Sequence, residues 1–73
     1  MKITIRNLEY EAPYDFEPSE EWDANFSMIE VDGELFLEVR TMGPKNETPS
    51  PEHVNTVRLS KQAIDLLIAQ SNF

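Results

Sequence analysis

The feature that most constrains this chain is the pair Asp32-Gly33, set between two runs of alternating residues at 25–31 and 34–42. Asp-Gly is favoured in the two-residue type I′ turn, whose twist matches that of the strands it joins. The turn dictates the register. Val31 faces Glu34, Glu30 faces Leu35, Met28 faces Leu37 and Phe26 faces Val39. One face of the hairpin then carries Phe26, Met28, Leu35, Leu37 and Val39, the expected core face. The other is mixed: Ser27, Glu34, Glu38 and Arg40 share it with Val31 and an Ile29–Phe36 pair, and those apolar residues also need cover.

The flanking segments complete a small α+β domain. Met1, Ile3 and Ile5 alternate with Lys2, Thr4 and Arg6, as in a half-buried strand. Leu8 breaks the pattern. Residues 54–59 read as a further short strand. Ser60 is a good N-cap for a final helix of about eleven residues. Its stripe of Ala63, Ile64, Leu67 and Ile68, widened by Leu66, is expected to pack on the hairpin's core face. A helix so short needs that support. The expected fold is one domain over residues 1–73, an antiparallel sheet of three to four strands against one C-terminal helix. The first strand has two available partners, the hairpin or residues 54–59. Pro44, Pro49 and Pro51 make residues 43–53 a loop, in which Ser50 and Pro51 are placed to start a short helical turn.

Residues 9–23 are different in kind. They hold seven acids, two prolines and no base, interleaved with Tyr10, Tyr14, Phe16 and Trp22. Pro13 and Pro18 oppose a regular helix or a central strand. Ser19 is placed to cap a helical turn through Glu20, Glu21 and Trp22. The segment reads as an irregular loop pinned by its aromatics, and long loops of this kind are often functional.

Charge patterning carries the functional reading. No Lys or Arg lies between Arg6 and Arg40, where eleven acids stand, and the whole chain carries a net charge of -8. Such a field repels nucleic acid and anionic membranes. It suits a basic protein surface, including that of a nucleic-acid-binding protein whose phosphate sites the carboxylates would occupy. The residues expected to make that contact are Glu9, Glu11, Tyr14, Asp15, Glu17, Glu20, Glu21, Trp22 and Asp23, with Tyr14 and Trp22 as anchors. In size and charge the chain is similar in general terms to small inhibitor proteins of bacterial viruses, an analogy of class carried by no motif. The competing reading is a structural or assembly protein, a homodimer or accessory subunit, whose acids serve solubility.

Other chemistries find little support in the residues. Two glycines in all exclude a glycine-rich phosphate loop, and the acidic segment lacks the glycine of a calcium-binding loop. The single histidine, His53, reads as a solvated loop residue without a partnered nucleophile. A carboxylate pair for glycoside hydrolysis needs a cleft that a chain of this size hardly provides. Thr48-Pro49 and Ser50-Pro51 are minimal proline-directed phosphorylation dipeptides. No enzyme activity, metal or cofactor is expected. With no cysteine and no long apolar run, the chain reads as soluble and cytoplasmic.

Overall fold

The computed structural model describes residues 1–13 and 17–71. Four strands form one sheet in the order β1-β4-β3-β2: β1 is Lys2–Ile5, β2 Trp22–Val31, β3 Glu34–Pro44 and β4 Thr56–Ser60. A 3-10 turn spans Pro51–His53, and the helix α1, Lys61–Gln70, follows β4 directly. The α+β class, the sheet and the C-terminal helix are as expected. The sheet is mixed, however. β2 and β4 pair antiparallel with β3, while β1 pairs parallel with β4. The amino-terminal strand therefore chose residues 56–60 over the hairpin.

The hairpin forms in the expected register, Val31 opposite Glu34 through Phe26 opposite Val39. Asp32 and Gly33 both have positive φ, 50° and 81°, as a type I′ turn requires. Between the pairs Asp23–Gly43 and Ala24–Thr41 the register shifts by one residue, leaving Met42 as an extra residue on β3. No helical turn forms at residues 20–22, because Trp22 already belongs to β2. Ser60 caps α1 as expected, its Oγ accepting the Ala63 N–H at 3.1 Å.

Alternation sorts the sheet into two faces. The first carries Ile3 and Ile5 of β1, Val57 and Leu59 of β4, Leu35, Leu37 and Val39 of β3, and Ala24, Phe26 and Met28 of β2. The second carries Phe36, Glu38, Thr56, Arg58 and Ser60 at its centre. The expected core assignment is overturned here. None of the first-face side chains is buried; Phe26 is 76% exposed, Met28 55% and Leu35 50%. The side chains the sheet does bury, Phe36, Glu38, Thr56 and Ser60, all lie on the second face. The parity of Ser60 explains the reversal. The N-cap residue belongs to the Phe36 face, so α1 starts from that side and leaves the other open. Ala63, in its first turn, is fully buried, while Leu67 and Ile68 stay exposed.

Candidate functional site

Phe36 is covered by a basic side chain. Arg6 follows β1, and its guanidinium lies 5.4 Å above the Phe36 ring. It also grips both carboxylate oxygens of Glu34, at 2.6 and 3.0 Å. This hydrogen-bonded pairing holds Glu34 below the usual carboxylate range and raises Arg6 above its ordinary value. Beside it, Arg58 Nε donates to the buried Glu38 carboxylate at 3.1 Å, with Arg40 at 4.0 Å. The aromatics expected to pin the acidic loop are not shown covering this face. Trp22 packs elsewhere, and Tyr14 and Phe16 lie outside the described residues.

The open first face is therefore the candidate site. It spans all four strands and is almost wholly apolar. Glu30 and Thr41 are its polar members within β2 and β3, while Lys2, Arg40 and Arg58 point to the opposite side. Near the end of the hairpin an open trough of about 400 Å³ is lined by Ala24, Asn25, Phe26, Leu37 and Val39. Apolar surface of this continuity marks a contact site on a folded protein. Sequence reasoning named these residues but gave them the wrong role. The available signal was that both hairpin faces carry apolar residues, and one ten-residue helix covers only one of them.

The expected acidic contact residues are held at two places. After β1, Leu8 and Tyr10 bracket the C-terminal turn of α1. The Gln70 Nε2 donates to the Leu8 carbonyl, and the Tyr10 N–H donates to Gln70 Oε1. Glu9 and Glu11, beside these anchors, are exposed. At the other end the Lys45 N–H donates to the Glu21 carbonyl, and Trp22 meets His53 edge to face with centroids 5.1 Å apart. Glu17, Glu20, Glu21 and Asp23 are exposed, and Trp22 is 38% exposed. Tyr14 and Asp15 fall outside the described residues. The ion pairs Arg6–Glu34, Arg58–Glu38 and Lys61–Asp65 engage bases with acids beyond this segment.

His53 is not the solvated loop residue expected. It is half-buried, its Nδ1 lies 3.1 Å from Ser50 Oγ, and its ring abuts Trp22 and Gly43. It wedges the 3-10 turn against the start of the hairpin. Among the described residues no group of three or more His, Asp or Glu is placed to hold a metal ion. Among the same residues no helix is long and apolar enough to cross a membrane. No protein-family model, no curated protein and no solved structure matches the chain.

Proposed function

We propose that the protein is an interaction module, one that acts by occupying protein surface rather than by catalysis. The observation that supports this reading is the open apolar face of the sheet. Among the described residues Phe36 and Ala63 are the buried hydrophobic ones, while Phe26, Met28, Leu35 and Ile3 face solvent. Burying such side chains fully is worth roughly 1.5–3 kcal/mol each, so a partner that covers this face stabilises both the contact and the fold.

The acidic segment adds a second, charged surface. Exposed Glu9, Glu11, Glu20, Glu21 and Asp23 are suited to a basic protein, and their charge would speed its association more than tighten it. In its specific form this reading is an inhibitor, with carboxylates occupying the phosphate sites of a nucleic-acid-binding protein. The alternative is an assembly subunit whose acids only keep it soluble; the apolar face favours it, and the acidic segment favours the inhibitor.

Capture from nuclease-treated lysate separates these readings. The chain is compared with a variant carrying Glu9→Lys, Glu11→Lys and Glu20→Lys, whose fold is verified by circular dichroism. One basic protein, retained at low salt, released at high salt and lost with the triple variant, is the expected result for the inhibitor. The same proteins captured by both chains would remove the acidic surface from the reading.

A further inference from the structure

We infer that the open sheet face is covered by a second copy of this chain, two sheets stacking face to face into an eight-stranded sandwich. The inference rests on the reading of this face as a contact surface and names its occupant. Area is the first argument. The chain exposes 6118 Å², whereas a folded monomer of 8.4 kDa exposes about 4,600 Å². The excess is about 1,500 Å². That excess is larger than the ~800 Å² that each partner contributes to a standard interface. The radius of gyration agrees: 14.2 Å, against about 11 Å for a compact chain of this length.

Composition is the second argument, and it distinguishes a copy from a foreign basic partner. The chain has fourteen acids and six bases, yet Glu30 is the charged residue that β1–β4 place on this face. A basic partner would find almost no counter-charge there. A copy would bring apolar surface to apolar surface and keep its acids at the rim and on the far side. Depletion of charge at the centre is the mark of homodimer interfaces. The geometry permits it, since facing sheets pack about 10 Å apart with their inner side chains interdigitated.

The test is the solution mass of the full chain by sedimentation equilibrium, over a wide concentration range and at low and high salt. Twice the chain mass of 8.4 kDa, undiminished by salt, is expected. Two variants locate the contact. Leu35→Glu lies on the interior strand β3, so pairing through a sheet edge tolerates it. A carboxylate buried without a partner should weaken a face-to-face dimer by more than about 100-fold. Phe26→Ser is the second variant, because Phe26 is 76% exposed in the single chain and its loss leaves the monomer's packing intact. A dimer lost in Phe26→Ser, and in Leu35→Glu where that chain folds, supports the inference. A dimer retained by Phe26→Ser, or by folded Leu35→Glu, overturns it. A monomer at every concentration also overturns it, and a dye for exposed apolar surface then decides the parent reading. Dye binding leaves the face a contact surface for another protein, whereas no binding removes that reading as well.

Discussion

Gly43→Ala should be among the most damaging single-methyl additions this chain can receive. Gly43 has φ of +102°, a region that L-residues rarely enter. Holding alanine there costs about 1–2 kcal/mol. A Cβ on Gly43 would also lie 2.8 Å from His53 Nδ1 and 2.9 Å from both His53 Cγ and Cβ. The last contact matters most. Turning the imidazole about χ1 moves Nδ1 and leaves Cβ in place, so the clash needs a backbone shift. Overpacking of this sort costs about 1–3 kcal/mol. The sum is about 3 kcal/mol, a large part of the roughly 4–11 kcal/mol that a 73-residue domain holds.

The two contributions are separable in a double-mutant cycle with His53→Gly, which removes the clashing Cβ and leaves the φ strain. Urea unfolding followed by circular dichroism, at one fixed protein concentration, reads all four chains. In the His53→Gly background the cost of Gly43→Ala should fall to about 1–2 kcal/mol. A cost below about 0.5 kcal/mol in the native background would rule out both the φ strain and the His53 clash as its causes, and one unchanged by His53→Gly would rule out the clash. The contact reaches the acidic segment too, because His53 is also the ring on which Trp22 packs where that segment enters β2.

Two further perturbations follow from single contacts. Ser60→Ala removes the cap of α1 and leaves the fully buried Ala63 N–H without its acceptor, so thermal unfolding should show a loss of about 1 kcal/mol, or a fall in Tm of about 4–8 °C; an unchanged Tm would mean that α1 does not depend on its cap. Glu34 is held below the ordinary carboxylate value, chiefly by its hydrogen bond to Arg6. Its contribution is complete above the unfolded-state value and disappears as pH falls through the lowered folded value. An NMR titration of the Glu34 carboxyl should therefore move upward in Arg6→Gln, and an unmoved titration would sink the assignment.

What the sequence made legible was local. The Asp32-Gly33 turn fixes a period of two on both sides of itself, so the hairpin register was readable to the residue pair. Ser60 was readable as a cap because its role is settled within three residues. What was not legible depends on distant partners. The parallel pairing of β1 with β4 joins residues such as Ile3 and Val57, and no local pattern selects it over the hairpin. The choice between the two hairpin faces turned on the parity of Ser60 and on Arg6 reaching Glu34 and Phe36 across 28 and more residues. His53 looked solvated because its packing partners, Trp22 and Gly43, come from separate parts of the chain. The acidic residues were readable as a composition, and their two anchoring points, on Gln70 and on Lys45, were not.

Strand alternation separates the apolar surface of this chain from most of its charge. Charge is confined almost entirely to the second face, the turn, the loops and the helix, while the first face keeps Glu30 as its one charge among the strands. A steering field and an apolar contact normally overlap at one interface, as a charged rim around a dry centre. Here Tyr10, beside Glu9 and Glu11, is tethered to α1, and Glu21 and Trp22 are held by Lys45 and the 3-10 turn. Covering that face with a second copy would leave Glu9, Glu11, Glu20 and Glu21 free in solution and double the negative charge of the particle. The two proposed roles, assembly and the capture of a basic protein, are thus compatible: the first would raise the field that serves the second.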